Sequence, residues 1–232
     1  MRAMKLLGLI GGVSPEATAI YYRLLSETAR ARLGPLHSAN LMLYALDYGV
    51  MIGHYDNRDW DAFTAEVVRG AEHLAAAGVE ALIICSNTTH VAADAVRAAV
   101  DVPLIHMLDV LAAEMKSKDS RRPLLLGTPV VMSGEHYRRE LTKRYDGALL
   151  IPSESEQAVI GRIILDELVL GNVLDESRNE LLEIVARHDA DGVILGCTEL
   201  CMILAQEHFA IPVFDTTSLH AAAASDFAFG EG

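Results

Sequence analysis

The run Gly192-Val193-Ile194-Leu195-Gly196-Cys197-Thr198-Glu199-Leu200 decides how this chain is read. A short apolar segment ends in Gly-Cys-Thr and passes at once into Glu199 to Leu204, where the apolar spacing fits a helix better than a strand. A buried strand then delivers Cys197 to a helix N-terminus, whose unpaired N–H groups and positive dipole end favour a thiolate and a bound carboxylate alike. The competing reading makes Cys197 a small core residue, as free cysteines commonly are. A second copy of the pattern favours the first.

That copy is Val79 to Ile84 running into Cys85-Ser86-Asn87-Thr88-Thr89-His90. Around it, Lys5 to Ile10 reads as a buried strand, and Gly11-Gly12-Val13-Ser14-Pro15 turns it into a helix over 17–32 that Ser14 can cap, with Pro15 at its first position. Ala39 to Leu46 reads as a strand ending at Asp47, Tyr48 to Trp60 as a loop, 61–77 and 92–100 as helices, and Pro103 to His106 as a short fourth strand. The series then restarts. Pro123 to Thr128 resembles Leu6 to Gly12, Gly147 to Ile151 takes the place of the second strand, 156–170 and 177–188 read as helices, and Ile211 to Asp215 echoes Val102 to His106. The landmarks recur in order at an offset of roughly 110 to 120 residues, the mark of a duplicated half.

The expected fold is therefore α/β, with two pseudosymmetric domains. Each is a short parallel sheet with helices on both faces. The boundaries fall at 1–101 plus 210–232 for the first domain and 102–209 for the second. Ligands in such sheets bind beyond the carboxyl ends of the strands. If the halves face each other, Ser86-Asn87-Thr88 and Cys197-Thr198 meet across one cleft.

Composition narrows the class. The 232 residues are 51% hydrophobic, enough for one large core or two modest ones. No run approaches the roughly 18 apolar residues of a membrane span, and no basic leader with an apolar segment opens the chain, so no membrane partner and a cytoplasmic location are expected. Three cysteines argue against a disulfide scaffold. A formal charge of -13 disfavours nucleic acid as a partner and leaves any anion site to local N–H groups or a few basic side chains.

Taken together, Gly8-Leu9-Ile10-Gly11-Gly12 with Tyr21-Tyr22-Arg23, Asn87-Thr88 with His90, Leu126-Gly127-Thr128, Gly196-Cys197-Thr198-Glu199 and Pro212 to Thr216 resemble the cofactor-independent aspartate/glutamate racemases over nearly the full length. The resemblance implies an active site between the two domains, a small carboxylate or amino-acid substrate, no cofactor, no metal, and a homodimer. It also implies two-base chemistry, in which one cysteine removes the α-proton as thiolate and the other, as thiol, protonates the opposite face. A thiol near pKa 8.5, lowered at a helix N-terminus, suits that exchange. Cys197 and Ser86 are the expected catalytic pair, with Asn87, Thr88, Thr128 and Thr198 on the substrate carboxylate and Gly12, Ser14 and Asp47 completing the binding residues.

The sequence departs from that family in two places. Ser86 stands where the family has its first catalytic cysteine. Cys85, one residue earlier on a strand, points to the opposite face and reads as core. A serine hydroxyl is a far weaker acid than a thiol, so the two directions of reaction should be unequal. Val159 stands where members acting on acidic amino acids carry a lysine for the distal carboxylate; Arg162 or Arg58 could replace it, or the substrate lacks that group.

Other readings stay open. Asp47 binds a substrate amine or caps a helix; Gly11-Gly12-Val13-Ser14 lines the cleft or is an ordinary tight turn; His90 is structural. Glu199 orients Cys197 or accepts its proton, or merely complements a helix dipole, the last being the simpler account. The spacing of His37, His106, His188, His208 and His220 suggests no metal site. Arg138 and Arg139 read as a solvated face, Cys201 as buried, and Trp60 as the anchor of its loop. On the same scaffold a lone cysteine also suits a decarboxylase or a cis-trans isomerase, and a small-acid binding protein is the non-enzyme alternative.

Overall fold

Leu7–Gly11 is buried at every position, as a central strand requires, and forms β1. The computed structural model, which describes residues 4–230, continues with α1 Pro15–Leu33, β2 Leu41–Ala45, α2 Tyr48–Asp56, α3 Trp60–Ala76, β3 Ala81–Ile84 and α4 Ala93–Ala99. A 3₁₀ turn, Thr88–Ala92, joins β3 to α4. Then follow α5 Met107–Ser117, β4 Pro123–Leu126, α6 Pro129–Ser133, α7 Glu135–Thr142, α8 Glu154–Arg162, α9 Asp175–Ala186, β5 Gly192–Leu195, β6 Val213–Asp215 and α10 Thr216–Phe229. Among the described residues no helix is long and apolar enough to cross a membrane.

The strands form two parallel three-stranded sheets, ordered β2-β1-β3 and β4-β5-β6. Two compact units contain them. One runs to Met107 and resumes at Thr217; the other is Leu108–Thr216. These limits differ from the expected 101/102 and 209/210 for a physical reason: Leu104 bridges to Leu82 and so stays with the first sheet, while Val213–Asp215 pairs with β5 and stays with the second.

Alternation along β3 sorts the first core. Leu82 and Ile84 pack with Ile10 against Val67, Ala71 and Leu74 of α3 and Val96 of α4. Ala81, Ile83 and Cys85 face the other way, with Leu7 and Leu9, onto Tyr21 and Leu25 of α1 and Ala221 and Ala224 of α10. Each large apolar side chain buried this way contributes about 1.5–3 kcal/mol. Both faces of the sheet are thereby covered by helices, and Cys85 is core.

Several expectations are corrected. Tyr48 to Trp60 is not a loop, because Asp47 caps a helix there by accepting from Val50 N–H at 3.0 Å. Trp60 instead opens α3, its ring against Tyr55 and Phe63. The expected fourth strand at Pro103–His106 and the strand at Gly147–Ile151 are each reduced to one bridge, Leu82 to Leu104 and Leu124 to Leu150. The helix expected over 156–170 is α8 followed by a π-type turn at Ile163–Glu167 and a 3₁₀ turn at Leu168–Leu170.

Candidate active site

At the carboxyl end of β5 the strand gives way to Gly196, whose N–H donates to Leu126 O at 2.7 Å, and then to Cys197. Cys197, Thr198 and Glu199 are all buried. The helix expected here is a five-residue 3₁₀ turn, Thr198–Met202, closed by Leu200 N–H on Cys197 O at 3.2 Å. So short a turn supplies little dipole, and the thiol is not lowered as the sequence suggested. Burial, and after it the Glu199 carboxylate, push the Cys197 thiol well above its ordinary value. Cys197 rests as an acid.

Glu199 is the residue that sequence reasoning undervalued. Its Oε2 accepts from Cys197 Sγ at 2.9 Å and from Thr198 Oγ1 at 2.8 Å, so it faces the thiol. Thr198, expected to donate to a ligand, has its hydroxyl on Glu199 and presents only acceptor capacity. Next to β5, at the end of β4, Thr128 stands at the start of α6 without using its side chain as a cap. Its hydroxyl oxygen is buried and has no hydrogen-bond partner among the described residues. Cys201, half-buried rather than buried, is hydrogen-bonded to Asp215 at the end of β6, and burial followed by that carboxylate raises its thiol.

The first unit gathers a different set at its own carboxyl edge. Ser86, half-buried, follows the core residue Cys85, whose thiol burial pushes up. Asn87 is buried and Thr88 half-buried at the start of the 3₁₀ turn. His90 is buried, and both its ring nitrogens are used: Nδ1 lies 2.7 Å from Ser86 O, and Nε2 accepts from Met107 N–H at 3.3 Å. Gly12, with φ +93°, is bound to glycine because a Cβ there would lie 2.1 Å from Leu46 O. Its N–H donates to Thr18 Oγ1 at 2.8 Å, Ser14 Oγ caps α1 through Ala17 N–H, and Asp47 caps α2. These groups shape the turns bordering the ends of β1 and β2, while Ser86, Asn87 and Thr88 follow the end of β3.

Two candidate cations differ. Arg162 is engaged by Glu167 and by Glu180, the latter at 2.7 Å, and is not available in place of a lysine at 159. Arg58 sits at a left-handed corner, φ 56°, between α2 and α3. Val159 is half-buried on α8.

Known proteins share this architecture. The profile of the Asp/Glu/Hydantoin racemase family matches residues 10–224. The chain is 22% identical over 218 residues to the broad specificity amino-acid racemase RacX of Bacillus subtilis (strain 168), covering 92% of this chain and 93% of that one. A solved structure of a candidate Asp/Glu racemase from Yersinia pestis has a TM-score of 0.90 at 36% identity, covering 97% of this chain and all of its own. PH1733, an aspartate racemase homologue from Pyrococcus horikoshii OT3, has a TM-score of 0.88 at 28% identity, with 97% of this chain and all of that one covered. The chain belongs to the Asp/Glu/hydantoin racemase family and is an isomerase of that type.

Proposed function

We propose that this protein racemises or epimerises a small amino acid without a cofactor, with Cys197 as the thiol acid/base and Ser86 as the weaker group serving the opposite face of the α-carbon. The observation that carries the reading is the Cys197 Sγ to Glu199 Oε2 hydrogen bond at the end of β5. Through it the thiol proton passes to Glu199, the thiolate takes the α-proton, and the Ser86 hydroxyl gives its proton to the planar carbanion; after product leaves, solvent water returns a proton to Ser86 and takes the one held by Glu199. In reverse Ser86 must act as base, which a hydroxyl does poorly. Substrate carboxylate is held by Asn87, Thr88 and Thr128. Thr128 supports this most, because its buried hydroxyl has no hydrogen-bond partner among the described residues. Proton transfer by a positioned group contributes about 10²–10⁴-fold.

Substrates with uncharged side chains fit best. Val159 offers no charge to a distal carboxylate, and Arg162 is held by Glu167 and Glu180. Chiral chromatography on the enantiomers of alanine, serine, leucine, lysine, aspartate and glutamate tests this: turnover of a neutral member ahead of aspartate and glutamate supports it, and preference for the acidic pair contradicts it. With Cys85 buried in the core and Cys201 hydrogen-bonded to Asp215, Cys197 would be the one thiol acting on substrate, which also suits a decarboxylase or cis-trans isomerase of a small acid. Release of CO₂ without inversion would favour that second reading.

The same proposal includes a cytoplasmic homodimer. Its three free thiols suit a reducing compartment. Edge strand β2 carries no charge, exposes Met42 and Leu43, and borders an apolar cavity of about 350 Å³ lined by Leu9, Pro15, Tyr22 and Leu41. Natural edge strands are normally protected by charge, proline or a bulge. In a chain of charge -13, a second copy meets little repulsion through the stretch Ala39 to Tyr55, where Asp47 is the one acidic side chain and His54 the one basic side chain. Leu43→Lys should give a monomer by sedimentation, and an unchanged dimer would place the contact elsewhere.

A further inference from the structure

We propose that His90 is a positioning residue for Ser86: a neutral imidazole that clamps the Ser86 carbonyl and so sets the direction in which the hydroxyl leaves the end of β3. This rests on the reading of Ser86 as the second acid/base group. Cys85 N–H on Ile10 O, at 2.9 Å, ties the end of the strand to β1, and Ser86 is the next residue. His90 takes over there twice. Its ring binds Ser86 O at 2.7 Å, and its main-chain N–H donates to Asn87 O at 3.3 Å.

Both neighbours dictate one tautomer. Ser86 O only accepts, so Nδ1 carries the proton; Met107 N–H only donates, so Nε2 is bare. The ring cannot turn over or gain a proton without losing one of these bonds. Its surroundings hold it in place. The His106 ring centroid lies at 4.8 Å and that of His220 at 5.6 Å. His220 is itself fixed, with Nε2 on Ile105 O at 2.7 Å and Nδ1 on Tyr21 Oη at 2.8 Å. Four side chains from separate parts of the chain thus converge behind one carbonyl. A core histidine needed only for volume has no use for such a set, whereas a hydroxyl that must meet an α-carbon within a fraction of an ångström does, since a misplacement of about 1 Å can cost about 100-fold.

The test compares His90→Asn, whose side-chain N–H overlays Nδ1, with His90→Phe, which keeps the ring without its nitrogens, and His90→Ala. Both enantiomers of the amino acid that turns over fastest are assayed. Phe and Ala variants should lose roughly 10- to 100-fold in initial α-deuterium exchange in D₂O, mainly from the enantiomer that Ser86 deprotonates, while kcat/KM for racemisation falls equally in both directions because the enantiomers are equal in free energy, and Asn should recover most of the loss. A Phe variant equal to the wild type, or an equal loss of initial exchange from both enantiomers, overturns the clamp. Ser86→Ala run alongside separates the two claims. If it leaves initial exchange from both enantiomers intact, the reading of Ser86 falls and the inference with it; if it impairs exchange from one enantiomer while His90→Ala does not, the clamp alone falls. Should the variants fail to fold, ¹⁵N–¹H spectra of the wild-type imidazole decide: an Nδ1–H tautomer upholds the clamp and an Nε2–H tautomer overturns it.

Discussion

The two sheets end their central crossover strands with the same backbone plan and different chemistry. After β3 come Ser86, Asn87 and Thr88; after β5 come Cys197, Thr198 and Glu199. Position for position, Thr88 stands where Glu199 does, so a carboxylate within hydrogen-bond reach of the reactive group is present on the thiol side. The next pair of counterparts differs likewise. His90 clamps a carbonyl beside His106, whereas Cys201 is hydrogen-bonded to Asp215, and both pairs lie at matching places in their halves. On one side a histidine holds the carbonyl of Ser86; on the other a carboxylate accepts from the thiol of Cys197.

That comparison can be broken most severely at Cys197. Cys197→Ala should lower turnover by at least about 10³-fold with an unchanged circular dichroism spectrum, and substantial residual racemisation would remove the thiol from the mechanism. Next comes Glu199→Gln, which keeps a side chain of the same size and removes its charge. A loss of about 100-fold is expected, together with an apparent thiol pKa that moves down, because the Glu199 carboxylate is among the causes raising it. An unchanged pH profile would mean that Glu199 is not the thiol's partner. Ser86→Cys would sharpen the comparison by making the halves alike, and should bring the rates from the two enantiomers together within about tenfold.

The smallest effect is on stability. His220 is held neutral by burial, which lowers its pKa to about 4, and His90 is lowered in the same direction, by burial first. In the unfolded chain a histidine takes its proton near 6.5, so the unfolded state binds more protons as pH falls from about 6.5 to about 4, and stability is lost across that window. For His220 alone the loss is on the order of 3 kcal/mol. Urea titrations at pH 7 and pH 4.5 should show it, and His220→Gln should flatten the dependence; a wild-type stability independent of pH over this range would contradict the buried neutral state.

Much of this was legible in the sequence because the central strands are short, wholly apolar runs ending in Gly or a small polar residue. β1, β3, β4 and β5 are buried at every position, and such runs leave little choice of element. The repeat put Ser86 and Cys197 at matching strand ends, the resemblance made them a catalytic pair, and alternation put Cys85 in the core. What was hidden depended on contacts that no spacing encodes. α2 carries Gly49 and Gly53 and exposes Val50 and Ile52, so its pattern has no amphipathic period and only the Asp47 cap reveals it. The turn after Cys197 has the apolar spacing of a helix but stops after five residues. Glu199 looked like a dipole complement because a first-turn acid is common there, and its rotamer toward Sγ is a fact of three dimensions. The histidine group was invisible for the same reason, since 90, 106 and 220 become neighbours only through folding.

The most direct test of the central claim is the initial rate of deuterium incorporation at the α-carbon in D₂O, followed by NMR for each enantiomer of the preferred amino acid separately. Cys197, with Glu199 to receive its proton, should exchange one enantiomer at least about tenfold faster than Ser86 exchanges the other, and Glu199→Gln should slow mainly the faster of the two. Equal exchange from both enantiomers, equally reduced by Glu199→Gln, would contradict the assignment of unequal acid/base groups to the two halves.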